Sequence, residues 1–436
     1  MSNCEALVRQ VREGRYDRAL AGLYALDGKE ESLARARERA ARVAEAFCGQ
    51  LGGGENRAAL FSGPGRTEIG GNHTDHQQGR VLAAAVTLDA VAVAAKNDQN
   101  VICIYSEGHG EERISLEKLD IVPQEQGTTA ALIRGIAARF YELDLRFGGF
   151  DAYVSSDVLP GSGLSSSAAY EVLVGTILSG LYNEGKVPQV LIAKVGQFAE
   201  NTYFGKPCGL MDQCASAVGD FCFIDFADPG TPVVEAIPCM PSEYGYALCL
   251  IDAGGSHADL TDEYAAIPAE MKSVAKLLGQ PVLGKTSEAE FYARMGELRG
   301  KVSDRALLRA MHFYGDDQRV LDQADALRKK DFQRFLTLVK ESGRSSMDLL
   351  QNIYPSGDPG ERSVSLALAL CARLLKEDGA WRVHGGGFAG TVQAFVPLAQ
   401  LEDFRAQMEA IFGKGTCHDL SVRPAGGIQV LPEGEV

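Results

Sequence analysis

Four stretches of this chain collect residues able to do chemistry, and the richest covers residues 159–169. Gly161 and Gly163 permit a tight turn without a Cβ clash. Ser165, Ser166 and Ser167 fall where a helix exposes its first unpaired N–H groups. Such an end binds phosphate, because free donors and the helix dipole both favour negative charge. The bland alternative is a serine-rich N-cap with no ligand.

The second stretch, residues 63–82, packs Arg66, Asn72, His73, Asp75 and His76 among five glycines. One cation and several hydrogen-bonding groups suit a polyhydroxylated ligand. Metal binding by His73, Asp75 and His76 is a second possibility, although their spacing matches no standard site. A solvated loop is the third. The third stretch, residues 199–213, holds two carboxylates. Glu200 closes a helical pattern, and Asp212 follows Gly209, Leu210 and Met211, a run that suggests burial. A carboxylate among apolar residues is costly unless paired, which makes Asp212 a candidate base; a helix-capping role is the alternative. The fourth is the glycine run Gly385, Gly386 and Gly387 after His384, where a strand context implies close backbone approach.

The flanking patterns supply elements to position these groups. Phe150, Ala152 and Val154 alternate with period two, so a strand leads into the Gly/Ser loop. Ala169, Val172, Leu173, Thr176, Ile177 and Leu181 recur at helical spacing, so a helix leaves it. Residues 3–50 read as helices and residues 57–117 as β-rich. Helices are expected over 128–143, 188–201, most of 264–350, 361–377 and 399–412. Strands are expected near 221–226, 246–252, 381–396 (broken by the glycine loop) and 419–422. Proline and glycine cluster between 228 and 243, the expected domain boundary.

A chain of 436 residues exceeds one ordinary core, so two domains are expected. A net charge of −15 argues against nucleic acid and membrane surfaces as partners, since both favour basic patches. Ten scattered cysteines without a C-x-x-C pair, and no apolar leader, read as reduced thiols in a cytoplasmic protein. Residues 279–286 satisfy G-x-x-x-x-G-K-[ST], but that phosphate loop requires a preceding strand. Here the residues before it read as helix and Pro281 lies inside it, so the match is taken as a coincidental interhelical turn.

Taken together, the motifs at 63–82, 159–169 and 384–390 resemble the GHMP small-molecule kinases, in the order that family carries them. The pattern G-R-x-x-x-G-x-H-T-D from Arg66 to Asp75, and A-E-N-x-x-x-G-x-x-C-G-x-M-D-Q from Ala199 to Gln213, resemble its galactokinase branch. The resemblance starts near Arg57 and leaves the first fifty residues outside. It implies an α+β, two-domain fold. An N-terminal half resembling domain 2 of ribosomal protein S5 (53–235) would carry the sugar and ATP motifs, and a ferredoxin-like C-terminal half (236–436) would follow. The active site would lie in the cleft between them, and residues 1–52 would form a helical extension.

The implied reaction is ATP-dependent phosphorylation of galactose at its C1 hydroxyl, with Mg²⁺. By position, Asp212 would be the base and Arg66 its partner. Arg66, Asn72, His73, Asp75, Gly209, Asp212 and Tyr264 would contact the sugar. Pro160, Gly161, Ser162, Gly163, Leu164, Ser165, Ser166, Ser167, Gly386 and Gly387 would hold ATP, and Ser167 and Glu200 the Mg²⁺. Partners would be a small sugar and ATP, with neither nucleic acid nor membrane, in a monomer or weak homo-oligomer. Three departures matter: Asn72 stands where glutamate is usual, which bears on the sugar; His76 stands where tyrosine is usual; and the basic pair expected after Tyr264 is replaced by residues 265–268. Two alternatives follow, a kinase for an N-acetylated or deoxy sugar and a non-catalytic sugar- and ATP-binding regulator.

Overall fold

The computed structural model describes residues 3–26, 29–51, 57–158, 163–254 and 260–434. Two sheets organise them. The first contains β1 (Ala59–Gly70), β2 (Arg80–Lys96), β3 (Val101–Ser106), β4 (Gly110–Ser115), β5 (Phe150–Ser156), β6 (Phe221–Asp225) and β7 (Val233–Ile237). The second is a four-stranded antiparallel sheet of β8 (Tyr246–Asp252), β9 (Ala380–Val383), β10 (Thr391–Pro397) and β11 (Cys417–Leu420), in the order β11-β8-β10-β9. The last strand, β12 (Ile428–Val430), returns to pair with β1, so the first sheet runs β12-β1-β2-β5-β3-β4. β6 pairs with the start of β2 and with β7. The two sheets with their helices make the α+β architecture expected.

The composition of β2 explains its central place. Ala90, Ala92 and Ala94 enter the core beneath helices Thr129–Glu142, Ser166–Asn183 and Gln189–Phe198. Val91, Val93 and Ala95 enter the core beneath the N-terminal helices. Near-continuous apolar sequence suits a strand covered on both faces. A separate core joins the sheets: Ile69, Leu82 and Phe221 of the first meet Leu248, Leu250 and Phe395 of the second across helix Phe332–Ser345.

The N-terminal helices Asn3–Arg12, Asp17–Tyr24 and Glu30–Leu51 form as expected and pack on the first sheet. A correction concerns the thiols: Cys4 and Cys48 are joined in a disulfide, leaving eight free. Their separation of 44 positions gave no sign that two helices would bring their Cα atoms within 5.8 Å. Anchorage of the extension centres on Asp89, whose carboxylate is fully buried. It accepts from Arg39 Nη1 at 2.5 Å, Tyr24 Oη at 2.8 Å and Arg423 Nη1 at 2.8 Å, and from Ser62 Oγ.

The turn around 279–286 follows helix Thr261–Leu277, with no strand before it. Lys285 Nζ donates to the carbonyl oxygen of Ala227 at 2.6 Å. Among the described residues no helix is long and apolar enough to cross a membrane.

Candidate active site

Arg66 lies on β1 and Asp212 on the first turn of helix Met211–Val218. The guanidinium meets the carboxylate as a fork, with Nε to Oδ1 and Nη2 to Oδ2 both at 2.7 Å. Ser165 Oγ adds a third donor to Oδ2 at 2.7 Å. The remaining Arg66 nitrogen, Nη1, donates to the carbonyl oxygen of Gly163. A single cation thereby ties the base candidate to the end of the Gly/Ser loop. Burial would push the Asp212 carboxyl up, but the charge and hydrogen bonds of Arg66, with that of Ser165, hold it below the usual carboxylate range.

Ser165 has left-handed backbone (φ 58°) and leads into helix Ser166–Asn183. Gly163 is also left-handed (φ 78°), and a Cβ there would sit 2.9 Å from His384 Nδ1. Leu164 is fully buried, and its carbonyl oxygen accepts from Arg66 N at 3.0 Å, so its side chain serves packing. Pro160, Gly161 and Ser162 lie outside the described residues.

Ser167 Oγ donates to Glu200 Oε1 at 3.4 Å. Lys206 Nζ donates to the same oxygen at 3.3 Å, and Gln213 Nε2 donates to Oε2 at 3.0 Å. Glu200 is buried in a π-helical turn, Ala199–Phe204. The Ser167 hydroxyl and Glu200 carboxylate are hard oxygen donors of the kind Mg²⁺ takes. No cluster of three or more His, Cys, Asp or Glu suited to a metal occurs among the described residues. The pair therefore fits an ion completed by phosphate and water oxygens, the usual habit of Mg²⁺ beside nucleotides.

A cavity of about 240 Å³ opens against the Arg66–Asp212 fork. Its walls include Glu68, His73, Asp75, Gly209 and the glycine loop at Gly385 and Gly386. Gly209 lies close to Asp75: a Cβ there would sit 2.6 Å from Asp75 Oδ2 and would make that carboxylate shift. Burial lowers the His73 pKa to about 4, so the ring is neutral. Its Nε2 donates to the carbonyl oxygen of Gly386 at 3.1 Å, which leaves Nδ1 as the acceptor.

Asn72 is placed differently from the sequence expectation. It is fully buried and does not line the cavity. Its Nδ2 donates to Glu68 Oε1 at 2.9 Å and to Gly385 O at 2.7 Å. Its Oδ1 accepts from Asn352 Nδ2 at 2.8 Å, and its carbonyl oxygen from His312 Nε2 at 2.9 Å. Tyr264 likewise faces the glycine loop, donating to Gly387 O at 3.0 Å and packing edge-on against Phe388. Gly386, expected beside ATP, lies on the His73 side of the cavity, and Gly387 is outside its wall. Glu68, His384 and Lys206 were not anticipated. Glu68 was within reach of sequence reasoning, because residues two apart on a strand share a face and Arg66 was already singled out.

The family model of the GHMP kinases N terminal domain matches residues 131–220, and that of the galactokinase galactose-binding signature matches residues 45–96. The second match begins inside Glu30–Leu51, upstream of residue 57. The galactokinase of Actinobacillus pleuropneumoniae serotype 3 (strain JL03) is 31% identical over 355 residues, 81% of this chain and 88% of that protein. The galactokinase of Mannheimia succiniciproducens is 30% identical over 347 residues, 78% and 86% of the two chains. Among solved structures, Lactococcus lactis galactokinase complexed with galactose superposes with TM-score 0.75 at 22% identity, covering 88% of this chain and 98% of that one. A mevalonate kinase superposes with TM-score 0.58 at 16% identity, over 84% of this chain and 99% of that one. The structural likenesses bear on the fold.

Proposed function

The chain belongs to the galactokinase family of the GHMP kinases, and we propose from that premise that it transfers the γ-phosphoryl group of ATP to the C1 hydroxyl of galactose, giving galactose 1-phosphate and ADP. The observation that supports this best is the Arg66–Asp212 fork, which faces the cavity on one side and the end of the Gly/Ser loop on the other. Phosphoryl transfer asks a protein chiefly for alignment and charge stabilisation.

In this reading Asp212 accepts the proton of the C1 hydroxyl as that oxygen bonds to the γ-phosphorus and the bond to the β-phosphate oxygen breaks. Arg66 keeps Asp212 ionised and fixes its orientation. Its guanidinium also lies beside the path of the moving charge, where a fixed cation acts most strongly. The N-terminal N–H groups of helix Ser166–Asn183 receive phosphate. Ser167 and Glu200 would hold Mg²⁺, which neutralises phosphate charge when bound. His73, Asp75 and the amide backbone at Gly209 orient the sugar.

The test is ADP release with purified protein, ATP and Mg²⁺, with galactose and then with N-acetylated and deoxy sugars. Galactose-dependent ADP release is expected. Sugar binding without ADP release would favour the regulator, and turnover of an N-acetylated sugar alone would replace the substrate.

A further inference from the structure

Glu68 follows Arg66 by two residues on β1, in a stretch where the pairing with β2 is regular from Arg66↔Ala85 to Glu68↔Ala83. The two side chains therefore share one face of the strand, about 7 Å apart along it. Both line the cavity.

The Glu68 carboxylate is held asymmetrically. Oε1 accepts from Asn72 Nδ2 and from Arg382 Nη2, each at 2.9 Å. Asn72 and Arg382 are both fully buried behind the cavity wall. The backbone N–H of Glu68 donates to His384 Nε2 at 3.3 Å, which fixes the strand locally. No described donor reaches Oε2, and that atom is not among the buried polar atoms sealed without a partner. The carboxylate thus has one oxygen saturated from behind and the other turned to the cavity.

We propose that Glu68 is a specificity-determining residue for the acceptor: its Oε2 accepts a hydrogen bond from a sugar hydroxyl other than the one phosphorylated. An acceptor left unpaired in a buried wall is costly, so a hydroxyl arriving there is rewarded and its absence penalised. The titration behaviour agrees. Burial pushes the Glu68 carboxyl up to about 7 against the pull of Arg382 and Arg66, with Asp75 adding to the rise. A sugar hydroxyl donating to Oε2 favours the ionised form against that burial. This inference rests on the sugar occupying this cavity.

The experiment compares wild type with Glu68→Gln and Glu68→Asp, using galactose and its 2-, 3-, 4- and 6-deoxy analogues. In Glu68→Gln the amide oxygen faces the donors of Asn72 and Arg382. The amide nitrogen then faces the cavity, so an acceptor becomes a donor at constant shape. For wild type, one deoxy analogue should lose about 10- to 100-fold in kcat/KM, the worth of a hydrogen bond to a charged group. Glu68→Gln should raise the galactose KM by a similar factor, leave kcat within a few-fold, and abolish the penalty for that analogue alone. Glu68→Asp withdraws the oxygen by one methylene but keeps the charge, and should shrink the same penalty if Glu68→Gln fails to fold. An unchanged penalty profile in whichever variant folds overturns the role of Glu68. Absence of galactose turnover by the wild type overturns the reading of the site, and this inference with it.

Discussion

Arg66 and Asp212 are 146 positions apart in sequence, yet both guanidinium–carboxylate contacts measure 2.7 Å. Planar, bidentate pairing of this kind fixes orientation as well as charge. It makes Arg66 the chief partner holding Asp212 ionised, with Ser165 beside it, and makes the angle of the carboxylate depend on β1, on which Arg66 is carried.

Asp212→Asn removes the proton acceptor at nearly constant volume and leaves Arg66 a hydrogen-bond partner. Turnover should fall by about two to four orders of magnitude, the usual worth of general base catalysis. Galactose binding, measured by calorimetry, should stay within a few-fold. Turnover close to that of wild type would remove Asp212 from the role.

Arg66→Met deletes the cation that outweighs burial at Asp212. In wild type the acid limb of kcat should lie below the ordinary aspartate value of about 3.9. In the variant, burial is opposed only by the Ser165 hydrogen bond and the charge of Lys206, so the limb should move upward. Arg66→Lys restores a point charge without the fork and should fall between the two. A pH–rate profile whose acid limb is unmoved by Arg66→Met contradicts the pairing as the cause.

Asp89→Asn leaves Arg39 and Arg423 facing a neutral amide in a fully buried site. Loss of one partner from a buried ion pair costs about 3–5 kcal/mol, so the urea midpoint should drop sharply. Burial opposes ionisation of Asp89, but Arg39 and Arg423 win and its pKa is lowered. Its stabilising contribution is therefore complete above the unfolded value of about 3.9 and is lost as pH falls through the lower folded value. The gap between wild type and Asp89→Asn should close on acidification in that window. A gap independent of pH down to the acid transition would assign the loss to packing.

Lys285→Ala should leave kcat and the ATP KM within about two-fold, as for surface substitutions away from a site. Its ammonium donates to the carbonyl oxygen of Ala227 and lies near Asp228, on an exposed turn. A collapse of ATP affinity would place the nucleotide there.

The chemistry-bearing groups were legible because each motif carries its own local element. A period-two strand, glycines and a serine-led helix announce a tight turn into a helix without reference to the rest of the chain, and the structure has β5 before it and helix Ser166–Asn183 after it. Asn72 was misread for the opposite reason. Its surroundings come from His312, Ser346 and Asn352, more than 200 positions away, and no local period reports that helices from there will close over it. The local period places Glu68 on the face of Arg66, but not the Arg382 on β9 that saturates its first oxygen. The Cys4–Cys48 bond and the pairing of β12 with β1 are also products of tertiary proximity alone. The interhelical turn at 279–286 was recognisable, since the helical pattern before it excludes the strand that such a loop needs.

β12 adds a strand to the first sheet after the chain has completed the second, and Arg423 just before it is locked to Asp89. The two halves are therefore clasped by two covalent crossings, one between β7 and β8 and one between β11 and β12. A fragment ending at Ile237 would lack both its edge strand and the arginine that neutralises a buried aspartate. Truncation before β12 should therefore destabilise the half that is synthesised first, although every removed residue belongs to the last part of the chain.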